Sequence, residues 1–245
     1  MIHYLTFAGK SSRDFGVFIS GAKTFGSGTR DFEQISIPGR NGDLLFDNGR
    51  FKNVKVSYEA YIVRDFNTNY NAFNSWLMSQ KGYARLEDTY QPDFYRLAFF
   101  SAGLQSEPDI RLGVGAFKIE FNCKPQKFLK SGEIPVKYTA NGTIYNPTMY
   151  TSEPLITLKG TPGASGAFNI KSNQTINFKF PASGTIIVDS AIGEAYDTDG
   201  TNLNNSVSFP ASNTEQYFPK ISPGENAVLL WNVASAEILP RWWQI

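Results

Sequence analysis

Cysteine and histidine are nearly absent: the 245 residues hold one of each, Cys123 and His3. A lone cysteine closes no intramolecular disulfide and supplies no multi-thiolate metal site, so stability has to come from packing. One imidazole near the start of the chain gives no Ser-His-acid or Cys-His arrangement, in which a histidine takes the nucleophile's proton. Clustered Cys and His ligands for zinc are missing too. No catalytic residue, metal or cofactor is expected, and the chain reads as a non-enzyme. Charge of one sign is also lacking: 23 basic against 22 acidic side chains leave a net +1, too weak a field to gather nucleic acid or anionic lipid. No apolar run approaches membrane-spanning length, and the first seven residues lack the basic and long apolar regions of a signal peptide. The product is expected to be cytosolic and soluble when made, with no membrane partner.

What the chain has in quantity is aromatic side chains, 20 Phe and 12 Tyr, which suit half-buried pleated strands and point to a mainly β protein. Its length lies near the limit of a single hydrophobic core, so two domains are expected. Val54, Val56, Tyr58, Ala60 and Ile62 alternate with Lys55, Ser57, Glu59 and Tyr61; Phe117, Ile119, Phe121 and Cys123 alternate with Lys118, Glu120 and Asn122. Period two puts each apolar set on one face of a strand and makes Cys123 a small buried hydrophobe. Between these strands Phe66, Tyr70, Phe73, Trp76 and Leu77 recur at helical spacing, with Asp65 or Asn67 as the cap and Gly82 to stop the helix. The turn-like run 87–93 leads into an aromatic strand, so a protruding hairpin is expected over residues 83–100. From residue 124 to about 154, Gly, Pro, Asn, Thr and Tyr break the strand pattern. That places an N-terminal domain at residues 1–130 and a C-terminal domain at 131–245, with a linker at about 130–153. The short strands punctuated by Gly, Pro or Asn beyond it suggest a sandwich.

Acidic residues such as Glu87, Asp88, Asp189, Glu194 and Asp197 are of the type a glycosidase pairs, but 22 acids in one chain produce such neighbours by chance, and a solvated surface explains them. Gly21-Ala22-Lys23-Thr24-Phe25-Gly26-Ser27 has the glycine spacing of a phosphate loop with Ser27 where the lysine is needed. Asp197-Thr198-Asp199-Gly200 brings its glycine too early for a calcium loop and is expected to be a β-turn. Trp231 ends the apolar run 227–230 and is expected in the core, while Trp242 and Trp243 pin the C-terminal strand. Read instead as a stacking platform for sugar rings, Trp231, Trp242 and Trp243 would act together, with Trp242 and Trp243 the candidate glycan contacts. Arg40, Arg50, Lys52 and Lys55 lie near Phe46 and Phe51 but are interrupted by Asp43 and Asp47. Such a face suits acids on another subunit better than nucleic acid.

The stretch Ser36-Ile37-Pro38-Gly39-Arg40-Asn41-Gly42-Asp43-Leu44-Leu45 follows Ser12-Arg13-Asp14-Phe15-Gly16-Val17 and precedes Asp47-Asn48-Gly49-Arg50-Phe51. In this order and spacing it resembles the N-terminal half of the distal tail proteins of long, non-contractile-tailed bacteriophages. The second half resembles the same family in Ile187-Val188-Asp189-Ser190, Glu194-Ala195-Tyr196, Pro223-Gly224-Glu225-Asn226 and Pro240-Arg241-Trp242-Trp243. The resemblance implies an N-terminal β-sandwich or barrel-like domain with one helix and a protruding hairpin, followed by a C-terminal galectin-like β-sandwich. It implies a homo-hexameric ring at the virion tail tip, enclosing a DNA channel without specific DNA binding. Such a ring joins the tail tube protein to the tail-associated hub or tip protein, with receptor-binding or accessory baseplate proteins at the periphery. The assembly contacts this suggests are Pro38, Gly39, Arg40, Asn41, Gly42 and Asp43 in one turn, and Tyr83, Tyr90 and Phe94 in the expected hairpin. Pro38 and Gly39 bend the chain, Asn41-Gly42 favours a tight turn with positive φ, and Arg40 with Asp43 offers charges of opposite sign. The alternative function is a lectin-like, carbohydrate-binding adhesion module.

Overall fold

The computed structural model of the protein describes residues 2–23, 25–170, 174–211, 213 and 218–245, so that Thr24 of the phosphate-loop-like segment lies outside the described residues. The chain divides into two compact units, residues 1–127 with residue 245, and residues 128–244. In the first, the described elements are β1 (Leu5–Phe7), β2 (Lys10–Ser11), β3 (Val17–Ile19), β4 (Arg30–Ile35), β5 (Leu44–Phe51), β6 (Val54–Ile62), α1 (Phe66–Ser79), β7 (Ala84–Asp88), β8 (Phe94–Phe99) and β9 (Gly115–Leu129), whose last two residues belong to the second unit. Strands in the order β2-β1-β7-β8-β9-β6-β3 make one curled, half-barrel sheet, and β4 pairs with β5 in a ribbon of their own.

The long alternating strands form the spine. In the β6–β9 ladder Val54 faces Cys123, Val56 faces Phe121, Tyr58 faces Ile119 and Ala60 faces Phe117. Because cross-strand partners share a face, the two period-two patterns merge into one apolar surface. Helix α1 lays Phe66, Phe73, Trp76 and Leu77 into the same core as that surface, which also takes Leu5, Phe7, Val17, Ile19, Leu86 and Ala98. Asp65 is the residue before the helix, as expected, but it stands in the left-handed region (φ 52°) and its side chain caps nothing. Strand β9 runs straight through Lys124-Pro125-Gln126, where the sequence pattern was expected to break. Proline lacks only the N–H and already has an extended φ, so a strand tolerates it where that donor is not needed.

The expected hairpin over residues 83–100 is a correction. Its strands are β7 and β8, and they lie inside the sheet between β1 and β9, with Leu86 and Ala98 buried. The hairpin that leaves the sheet is β4–β5.

The second unit contains β10 (Val136–Tyr138), β11 (Gly142–Asn146), β12 (Leu155–Lys159), β13 (Ser165–Asn169), β14 (Ile176–Lys179), β15 (Thr185–Asp189), β16 (Glu194–Tyr196), β17 (Val207–Ser208), β18 (Gly224–Trp231), β19 (Ser235–Leu239) and β20 (Trp243–Gln244). Two five-stranded antiparallel sheets, β10-β19-β12-β15-β16 and β11-β18-β13-β14-β17, enclose one core between them. Rows of cross-strand partners supply it: Ile238, Ile156 and Val188 form one row, and Ala236, Leu158 and Ile186 the next. Phe168 and Ile176 face them from the other sheet. The residues expected as a linker, about 130–153, hold β10 and β11. Buried Asn146 organises the turn after them, donating to the carbonyls of Tyr150 (2.9 Å) and Ile221 (3.1 Å) and accepting from the N–H of Thr148 (2.9 Å). The Gly, Pro and Asn there serve turns between paired strands.

Candidate functional site

The β4–β5 ribbon concentrates unpartnered surface. Every residue from Phe32 to Arg50 is exposed. Its register pairs Glu33 with Phe46, Gln34 with Leu45 and Ile35 with Leu44, so Ile35, Leu44 and Phe46 project from one face and Phe32 and Leu45 from the other. Leu45 and Phe46 are 59% and 58% exposed. A two-stranded ribbon alone is marginal in water, and one that is apolar on both faces lacks the usual division into a buried and a solvated side. The ribbon is anchored at its base: buried Asp31 accepts from Arg50 (2.7 Å) and pairs with Lys52 (3.2 Å). Those two hydrogen-bonded cations hold its carboxyl below the usual range.

The tip is the segment from Pro38 to Asp43. Arg40 N–H donates to the Ile37 carbonyl (3.1 Å) around Pro38-Gly39, with Gly39 at φ 79°. Proline first and a positive-φ glycine second is the signature of a type II turn. Gly42 has φ 80°, as its place after Asn41 suggested. The turn brings Pro38 through Asp43 together at the exposed end of the ribbon, yet the structure gives no Arg40–Asp43 ion pair among the described residues. The other cations of the basic stretch differ from expectation, because Arg50 and Lys52 serve Asp31 and Lys55 serves Glu120 (3.0 Å) within the same chain. Arg40 alone of the four has no acid at hand among the described residues.

Tyr83, Tyr90 and Phe94 lie apart from this tip in sequence and are engaged locally. Tyr83 accepts from Asn53 Nδ2 (2.7 Å) and meets Phe99 edge to face at 5.2 Å. Tyr90 stacks on His3 at 4.9 Å, and its hydroxyl donates to the Ser20 carbonyl. Phe94 lies 5.6 Å from Lys127 Nζ. Of the three, Tyr83, at 43% exposed, offers the most surface.

In the second unit the tryptophans divide differently from expectation. Trp242 is buried in the core, and Trp243 stacks on Tyr150 at 4.5 Å while its Nε1 donates to the Thr151 carbonyl (3.0 Å). Trp231, expected in the core, is 61% exposed. A continuous apolar run carries no face information, and the register settles it: Val228 points inward, while Trp231 pairs with Ala167 on the outer face. Asp197 Oδ1 accepts from the N–H groups of Asp199 (3.0 Å) and Thr201 (2.9 Å), the turn expected there.

No protein-family model matches the sequence, and no curated protein does. Solved structures do match. The crystal structure of the SPP1 Dit protein (gp 19.1), described as a paradigm of the hub adsorption apparatus in phages that infect Gram-positive bacteria, superposes with a TM-score of 0.79, covering 100% of both chains at 11% identity. The chain has a Dit-like fold. Chains in the activated baseplate of phage P2, with Ca and with Sr, match more loosely, with TM-scores of 0.54 and 0.53, 97% of each chain covered, and 11% and 12% identity. Conservation of a Dit fold at such identity rests on the pattern of buried and exposed positions, which many sequences satisfy.

Proposed function

We propose that this chain is a non-enzymatic subunit of a phage tail tip, a distal tail protein that closes into a homo-hexameric ring between the tail tube protein and the tail-associated hub protein. The first unit, with the domain boundary near residue 130, forms the ring around a DNA channel that it does not read. The second, a galectin-like sandwich, carries receptor-binding or accessory baseplate proteins. The subunit is made in the host cytoplasm and ends in the virion tail tip, with no cofactor. The observation that carries this reading is the β4–β5 ribbon: Phe32, Ile35, Leu44, Leu45 and Phe46 stand exposed on its two faces. Apolar surface of that extent is the mark of an interface. The Dit-like fold supports the same assignment.

The turn from Pro38 to Asp43 then fixes register against a neighbour, with Arg40 meeting an acid of that subunit. Arg40→Glu tests it against Lys81→Glu, an exposed control outside the ribbon. Charge reversal at a desolvated contact costs about 2–5 kcal/mol of association, against about 0–1 kcal/mol at an open surface. Sedimentation that is the same for both variants would remove Arg40 from the interface.

A second reading, a carbohydrate-binding module, gains support from Trp231. Its row continues through Ala167, Asn177 and Ser208 on one outer face of the sheet. A bare indole beside small and hydrogen-bonding side chains suits a sugar ring. Host-wall saccharide titrated against tryptophan fluorescence tests it: saturable quenching lost in Trp231→Ala favours adhesion, and a flat titration removes it.

A further inference from the structure

In the first unit, behind Tyr58, lies a cavity of about 120 Å³ lined by Lys23, Asp88, Phe94, Arg96 and Lys127, among others. Three cations there face one carboxylate. That carboxylate is already fully used: Asp88 Oδ2 accepts from Lys23 Nζ (2.5 Å) and Tyr58 O–H (2.7 Å), and Oδ1 accepts from the N–H groups of Tyr90 and Gln91 (3.0 Å each). Four bonds are about the capacity of a carboxylate, so Asp88 has none left for the other two cations. Burial pushes the Asp88 carboxyl up, but Lys23, Tyr58 and the Gln91 N–H outweigh it and hold it low and ionised.

Arg96 and Lys127 are thus left over. Arg96 donates through Nη1 to the Pro125 carbonyl (2.9 Å), one bond for a group with five donors, and among the described residues it has no ion pair. Lys127 has no ion pair among the described residues either, and its Nζ lies over the Phe94 ring, 5.6 Å from the centroid. The nearby Cys123 cannot serve as the anion, since burial pushes its thiol up to about 12. Burial lowers the pKa of both cations, and for Lys127 the charges of Arg96 and Lys23 add to the lowering. Asp88 gives Arg96 some compensating charge, but three partly desolvated cations to one carboxylate leave an excess of positive charge, which is costly and which a ligand of opposite charge would offset.

We infer that this cavity is a binding site for a single oxyanion, a phosphate or a carboxylate, gripped by Arg96 and Lys127. The cavity has room for a group the size of a few water molecules and no more. The guanidinium supplies a planar fork for two oxygens, and the ammonium supplies a point charge. The oxyanion comes either free from solution or as the acidic side chain of a neighbouring subunit.

The test is thermal melting of the full chain against inorganic phosphate, at ionic strength held constant with chloride. The expected result is a saturable rise in melting temperature whose midpoint moves at least tenfold higher in Lys127→Met and is unchanged in Lys55→Met, an exposed lysine paired with Glu120. Lys127→Glu places a carboxylate beside Arg96 permanently. It is expected to melt higher than the native chain in phosphate-free buffer and to ignore phosphate, a readout that survives if Lys127→Met folds poorly. Light scattering separates the sources: phosphate that dissociates an assembled particle identifies a neighbour's acidic side chain as the occupant, and phosphate that binds without changing particle mass identifies the free ion. A phosphate response no larger than that to chloride, or one equal in native and Lys127→Met chains, overturns the inference.

Discussion

Replacing Phe46 with Ser is expected to loosen assembly while leaving the subunit folded. Phe46 lies on β5 opposite Glu33 and is 58% exposed, so the isolated subunit gains little from its ring. A phenylalanine side chain presents on the order of 150–250 Å², so roughly 100 Å² of it is open to water here. At about 25 cal/mol per Å², burying that area against a neighbour contributes about 2.5 kcal/mol, close to a 60-fold change in dissociation constant. Sedimentation velocity over a dilution series should find dissociation beginning at concentrations higher by about that factor. Melting of the dissociated chain should move by less than about 4 °C, the shift of a 1 kcal/mol change in a domain of this size. An unchanged dissociation curve would refute the argument, and so would a much larger fall in melting temperature, which would make the ring part of the subunit's own packing.

The Lys23–Asp88 pair has both side chains under 10% exposed, so Asp88→Asn, which strands a buried lysine, should cost about 3–5 kcal/mol of stability in denaturant unfolding. The folded Asp88 carboxyl titrates below its ordinary value near 3.9. The pair's contribution is therefore complete above that pH and lost as pH falls through the folded pKa, so an acid scan below about pH 4 should fall more shallowly in Asp88→Asn than in the native chain. Cys123, fully buried and with its thiol pushed up to about 12, should resist a thiol reagent at pH 8 until denaturant is added. In the second unit a Cβ on Gly132 would overlap the backbone nitrogen of Trp242, so Gly132→Ala should lower stability by about 1–3 kcal/mol, read from a melting curve.

The features legible in the sequence are those in which one face of an element is apolar. Val54 through Ile62 and Phe117 through Cys123 announce the spine of the first sheet because each alternates strictly, and α1 announces itself because Phe66, Phe73, Trp76 and Leu77 share one side. The β4–β5 ribbon breaks that rule. Leu44-Leu45-Phe46 is apolar on successive residues, so no period marks it as a strand, and the turn-like run 87–93 before an aromatic strand is the stronger hairpin signal in the sequence, although β7 and β8 lie inside the sheet. The same lack of alternation hid the outward face of Trp231. The turn from Pro38 to Asp43 was readable because Pro-Gly and Asn-Gly state their backbone geometry locally. The cavity around Arg96 was not, because Lys23, Asp88, Arg96 and Lys127 are spread over a hundred residues and meet only when the sheet curls.

The central claim is closed assembly, and the mass of the particle in solution tests it most directly. Multi-angle light scattering on the purified chain at high micromolar concentration is expected to give six times the 27.3 kDa subunit, or twelve times if two rings pair. A single species at 27.3 kDa throughout that range would contradict it.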